Sequence, residues 1–139
     1  MGTRCLTHVK DKSGQTIITI YRQFDGYVSG HGFEVKDFAS GRPIVNGISG
    51  SKTECFNGMN CFAASLLCHL KLGGKRNIEA GGIYIYPVDS SGLWEDYTYT
   101  IYPSDDSDTP DLMCKVESYK ELVFDGKLCD LAEKSDQEE

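Results

Sequence analysis

Residues 4–22, RCLTHVKDKSGQTIITIYR, decide the architecture. Arg4–Lys10 alternates, Asp11-Lys12-Ser13-Gly14 is a turn, and Gln15–Arg22 is rich in β-branched residues. Two such runs joined by a glycine-containing loop read as a β-hairpin. In its second strand Ile18 and Ile20 face one side and carry Arg22 toward the same side, while Ile17, Thr19 and Tyr21 face the other. Centring the pair on the turn sets Lys10 opposite Gln15 and Arg4 opposite Tyr21.

Outward from the hairpin, Phe24–Gly32 holds Gly26, Gly30 and Gly32 and reads as a loop with permissive backbone positions. Ser29 or Gly30 caps a helix over His31–Ala39, which Gly41 and Pro43 end. Ile44–Val45 is a short strand, and NGISGS (46–51) is a second glycine-rich loop. The strongest helix is Met59–Leu72, opened by Asn57 or Asn60, with Phe62, Leu66, Leu67 and Leu70 at helical spacing. Gly73-Gly74 closes it. Gly82–Val88 and Tyr97–Tyr102 alternate as strands, with Asp89–Glu95 read as a hairpin loop between them. Leu112–Ser118 and Glu121–Phe124 are further strands, and Lys127–Lys134 a last helical turn or two. Hairpins in sequence, with helices set between groups of strands, predict an α+β fold. The expected form is a single antiparallel sheet built of hairpins, with two or three helices on one face. It occupies 1–132 as one domain, before a disordered acidic tail at 133–139.

The chain has 139 residues, enough to bury a core without disulfide or metal staples. No apolar run reaches the ~18 residues of a membrane span. MGTRCLTHVK lacks the apolar stretch of an export signal. Gly2 suggests myristoylation, but Leu6 stands where that signal wants Ser or Thr. Six cysteines, at 5, 55, 61, 68, 114 and 129, include no C-x-x-C pair, so reduced thiols and a cytoplasmic setting are expected. Net charge is −7. Residues 1–70 carry seven Lys/Arg against five Asp/Glu; residues 71–139 carry seven against sixteen. No basic stripe is present, which disfavours direct nucleic-acid binding.

Four segments carry a resemblance: Met1–Arg4 (MGTR), Tyr21–Gly32 (YRQFDGYVSGHG), Asn57–Ala64 (NGMNCFAA) and Gly81–Pro87 (GGIYIYP). Together they resemble a family of small, largely uncharacterised phage and prophage proteins, over roughly residues 1–103. The resemblance implies no settled reaction. It implies a phage setting, and with it host takeover or counter-defence, for instance by domains that bind or destroy nucleotide signals.

Tyr21–Gly32 gathers Tyr21, Arg22, Gln23, Asp25, Tyr27, Ser29 and His31 between glycines. Arginine offers a planar fork for phosphate or carboxylate. Tyrosine rings can stack on a base, and the free N–H groups of a helix start can hold an anion. With Arg4 brought alongside by the hairpin, the expected ligand is anionic and nucleotide-like. The expected ligand-binding residues are Arg4, Tyr21, Arg22, Asp25, Tyr27, His31 and Asn57. Those within the segment each have a structural reading beside it: Arg22 pairing with Asp25, Asp25-Gly26 as a turn, Tyr21 and Tyr27 as core aromatics, His31 packed on a tyrosine. A second functional reading is a hydrolase or phosphodiesterase with His31 as base and Asp25 orienting it. A third is a host-protein interaction module using the acidic half. Exposed sheet edges suggest a homo-oligomer. No cofactor is expected. His31 and Glu34, even with His8 or Asp25 added, are too common a pattern to indicate a metal. His69 reads as a surface residue complementing the C-terminal dipole of its helix.

Overall fold

The computed structural model describes residues 2–45, 54–72 and 82–132. Six strands form one sheet: β1 (Cys5–Lys10), β2 (Thr16–Arg22), β5 (Ile83–Tyr86), β6 (Tyr97–Pro103), β7 (Leu112–Ser118) and β8 (Glu121–Lys127). Their order is β5-β2-β1-β6-β7-β8. A two-stranded ribbon of β3 (Ile44–Val45) and β4 (Phe56–Asn57) stands apart. The helices are α1 (Phe33–Ala39), preceded by a wide π-type turn at Val28–Gly32, and α2 (Gly58–Leu72). A 3-10 turn covers Leu128–Asp130. The fold is α+β, and among the described residues no helix is long and apolar enough to cross a membrane. NGISGS, Gly73-Gly74 and 133–139 lie outside the described residues.

The first hairpin forms, but its register is two steps from the simple count. Asp11 N–H donates to the Gln15 carbonyl at 2.9 Å, and Gly14 has φ +88°. This is a three-residue loop with glycine at the left-handed position. Ile17 then bulges between Thr16, opposite Lys10, and Ile18, opposite Val9. Loop and bulge each add one residue. Tyr21 therefore faces Leu6, Arg22 faces Cys5, and Arg4 lies beyond both pairs.

The sheet is mixed rather than wholly antiparallel, because β1 and β6 pair in parallel. β5 and β6 are therefore not a hairpin, and Asp89–Glu95 is not a hairpin loop. Both strands run parallel to β1, with β2 and β1 between them. The connection must cross roughly 14 Å of sheet and return along a strand, a diagonal of roughly 25 Å. Ten extended residues span up to roughly 33 Å. Residues 87–96 thus form a strap across the sheet. Asp89 anchors it, accepting from Thr16 Oγ1 at 2.5 Å and donating its N–H to Thr19 Oγ1 at 2.9 Å.

The core lies between the helices and one sheet face. Cys5, Val9, Ile20, Ile83, Tyr99, Ile101, Cys114 and Val116 share it with Val35, Phe62, Leu66 and Leu70. Phe62, Leu66 and Leu70 are the buried stripe that the helical spacing of α2 predicted. Leu6, Thr19 and Tyr21 are buried on the opposite face, away from this cluster.

Candidate functional site

Tyr21–Gly32 folds into a clamp around the start of β1. Asp25 takes φ +63°, and its carbonyl accepts the His31 N–H at 2.8 Å. Gly26 N–H donates to the Thr3 carbonyl at 2.8 Å, and the Gly26 carbonyl accepts the Tyr99 hydroxyl at 2.8 Å. A Cβ on Gly26 would sit 2.8 Å from the Arg4 carbonyl carbon and 2.9 Å from Cys5. A Cβ on Gly30 would sit 2.5 Å from the Asp25 carbonyl oxygen. These glycines are there for close backbone approach, and they set the aim of His31.

His31 is completely enclosed. Its Nδ1 lies 3.2 Å from Arg22 Nη1 and its Nε2 lies 2.7 Å from Thr7 Oγ1. A guanidinium only donates, so Nδ1 must accept and the ring proton sits on Nε2, donating to Thr7. The ring also stands edge-on to Tyr99, with centroids 4.8 Å apart. Burial, aided by the Arg22 charge, pushes the His31 pKa down to about 3. The packing of His31 on a tyrosine is therefore the structural role read from sequence. An enclosed imidazole with both nitrogens engaged does not reach a substrate, so the hydrolase reading through His31 loses its base. Asp25 does not orient it: the Asp25 carboxylate accepts from the Tyr27 hydroxyl at 3.3 Å on the surface.

Arg22 pairs with Glu34, not Asp25. It donates to Glu34 Oε1 at 2.7 Å and to the Phe24 carbonyl at 2.6 Å. The other Glu34 oxygen, Oε2, lies 3.4 Å from His69 Nε2. A polar chain thus runs outward from Thr7 through His31, Arg22 and Glu34 to His69. The Arg22 side chain is 13% exposed, Glu34 29% and His69 40%. The sequence reads His69 as a surface residue complementing the dipole of its helix; the structure sets it against Glu34. The signal that could have found it was the polar Glu34 on α1, since His69 sits late in α2 on the same side as the Phe38 ring it stacks on, 4.6 Å between centroids.

The remaining expected ligand residues separate. Tyr21 packs against Tyr84 and Tyr86 on the sheet face away from Arg22, because neighbouring residues of a strand point to opposite sides. Its hydroxyl donates to Gln23 Oε1 at 2.7 Å. Arg4 is on Tyr21's side, where its charge counters the burial that raises the Tyr21 pKa. Arg4 Nε is buried and has no hydrogen-bond partner. Tyr27 is exposed. Asn57 lines a separate hollow of about 300 Å3 with Asp11, Ser13 and Asp105. The expected ligand-binding residues thus do not converge on one place: Tyr21 and Arg4 lie on one sheet face, Arg22 and His31 on the other, and Asn57 apart.

No protein-family model, curated protein or solved structure matches this chain. Among the described residues no group of three His, Cys, Asp or Glu side chains is placed to hold a metal ion. Two concavities flank α1 instead. A cavity of about 490 Å3 has apolar walls from Ala39, Pro43, Ile44, Pro110, Leu112 and Leu128. Lys36, Arg42 and Lys127 also line it, against Asp37 and Asp111. A shallower cleft of about 560 Å3 lies against Ser29, Gly30, Phe33, Phe38, Glu34 and His69. Asp37 and Arg42 border both, so the two hollows share a rim. Arg42 is fixed there by Glu54, 2.9 Å from its Nε, and by the Phe38 carbonyl, and its guanidinium lies over the Phe38 ring.

Proposed function

We propose that this protein binds an anionic small molecule with a flat, weakly polar body, nucleotide-like in that sense, in the cavity beside the C-terminal end of α1. One observation carries the reading. A chain of net charge −7 places three cations, Lys36, Arg42 and Lys127, against two carboxylates, Asp37 and Asp111, around one apolar-walled cavity of about 490 Å3, so the lining is locally positive. Volume and lining are those of a small-molecule site, where apolar walls hold the body of a ligand and a few charges orient it. Lys36 is held by the Leu131 carbonyl at 2.9 Å, so its charge is positioned before a ligand arrives. Lys127 is held loosely, 3.6 Å from Asp111 in an exposed pair, and an incoming anion can take it over at small cost. In the phage setting that the sequence resemblance implies, such a protein would sequester a nucleotide signal.

Thermal-shift measurement with a panel of mononucleotides, cyclic nucleotides and dinucleotides tests this. At one hundred times Kd a ligand stabilises by about 2.7 kcal/mol. For a domain of this size that is a rise in Tm of roughly 5–10 °C. The rise should fall sharply in Lys127→Ala and in Arg42→Ala, and survive Tyr27→Ala, which lies outside the cavity. No stabilisation by any nucleotide, or equal stabilisation of all three variants, would overturn the assignment.

A further inference from the structure

The cleft on the other side of the shared rim contains a histidine and a carboxylate set side by side. His69 is on α2 and Glu34 on α1, so two separate elements converge to place Nε2 3.4 Å from Oε2. Three features distinguish this from a surface ion pair. First, Glu34 is held from behind. Arg22 grips Oε1 at 2.7 Å and is itself anchored by the Phe24 carbonyl and by His31. Second, the imidazole is held flat against Phe38, at 26° between ring planes. Third, the pair opens into a cleft whose rim carries Arg42, which also lines the proposed ligand cavity. A base oriented by a carboxylate, beside a concave surface with a cation, is the arrangement general acid–base chemistry needs.

We propose that His69 is a catalytic residue for hydrolysis of a phosphodiester, with Glu34 orienting it and Arg42 facing the phosphoryl oxygens. The inference rests on the anionic-ligand reading above and adds to it that the ligand is turned over. In the tautomer with its proton on Nε2, the nitrogen beside Glu34 Oε2, Nδ1 carries the free lone pair. A water molecule attacks phosphorus and its proton passes to Nδ1. The bond from phosphorus to the leaving oxygen, opposite the attacking water, breaks; that oxygen takes a proton from solvent, and the imidazolium returns its own proton to solvent. The net change is phosphodiester plus water giving phosphomonoester plus alcohol, with no change of oxidation state. Arg22, His31 and Thr7 are positioning residues, fixing the carboxylate without touching the substrate.

The test measures hydrolysis of bis(p-nitrophenyl) phosphate and of cyclic and linear dinucleotides by the full chain. Variants are His69→Phe, which keeps the stack on Phe38 while removing both nitrogens, and His69→Gln. General acid–base catalysis contributes roughly 10²–10⁴-fold. The expected result is turnover above a protein-free control that falls at least about a hundredfold in both variants. Thermal stabilisation by the same dinucleotide should persist in both. Stabilisation without turnover, or turnover unchanged in His69→Phe, overturns the catalytic assignment and leaves the binding reading standing. Absence of both stabilisation and turnover overturns the two together.

Discussion

His31 should make this protein acid-labile in a way that one substitution removes. Its folded pKa is near 3, because the ring is enclosed and its Nδ1 accepts from a cation. Unfolded, a histidine titrates near 6.5. Between those values the unfolded chain binds a proton that the folded chain refuses, so stability falls as pH falls. The contribution is fully present above about pH 6.5 and is lost progressively toward pH 3. At pH 4.5, two units below the unfolded pKa, the loss is roughly 2–3 kcal/mol. His8, whose pKa burial also lowers, adds a loss of the same sign, as do paired carboxylates. The comparison must therefore be with His31→Gln, whose amide can still accept from Arg22 and donate to Thr7 but does not titrate. Urea unfolding at pH 7.5 and 4.5, at fixed ionic strength, gives the two pH dependences. The wild-type protein should lose roughly 2–3 kcal/mol more than the variant over that interval. Equal losses, within about 0.5 kcal/mol, would refute the enclosed, neutral imidazole. Nitrogen chemical shifts of His31 at pH 5 offer an independent check. They should report one protonated nitrogen, Nε2, and not two.

Two further substitutions probe the clamp and the far face. Gly26→Ala forces a methyl against the backbone of Arg4 and Cys5, which cannot yield as a flexible side chain would, so it should cost about 1–3 kcal/mol in urea unfolding. A loss under about 0.5 kcal/mol would mean that β1 and the loop are not so tightly apposed. Arg4→Met keeps the aliphatic stem but removes a buried guanidinium nitrogen that has no partner. It should be neutral within about 0.5 kcal/mol, or stabilising. Destabilisation beyond about 2 kcal/mol would show that the guanidinium does unseen structural work.

The local elements were legible because each is set by short-range chemistry. β-branched residues at 16–22, a Phe62/Leu66/Leu70 stripe and the Gly41/Pro43 stop all act within a few residues of themselves. What failed to read was long-range. Nothing in IYIY or YTYTIY says that the second pairs in parallel with β1 and not with the first, and Asp89–Glu95 has the polar, glycine-bearing composition of a hairpin loop. Its role as a strap depends on Thr16 and Thr19, seventy residues earlier in the chain. The hairpin register failed for a subtler reason. Each added residue, one in the loop and one at Ile17, turns the face of every later side chain; Gly14 marks the first, and nothing in the composition marks the second.

The same distinction explains the candidate site. A dense run of polar residues between glycines signals that something demanding happens there, but demand can be structural. Here Gly26 and Gly30 allow close approach, and Asp25 and His31 hold the loop by backbone hydrogen bonding and enclosure. The interior ends of this network are satisfied: His31 has Thr7 and Arg22, and Arg22 has Glu34 and the Phe24 carbonyl. A satisfied buried group confers rigidity rather than reactivity. The proposed reactive end is the outward one, where His69 meets the cleft half-exposed, thirty-five positions from Glu34 in sequence. A segment read as the site is better understood as the foundation on which Glu34 stands. Substitutions within it should therefore change stability first, and chemistry through Glu34 alone.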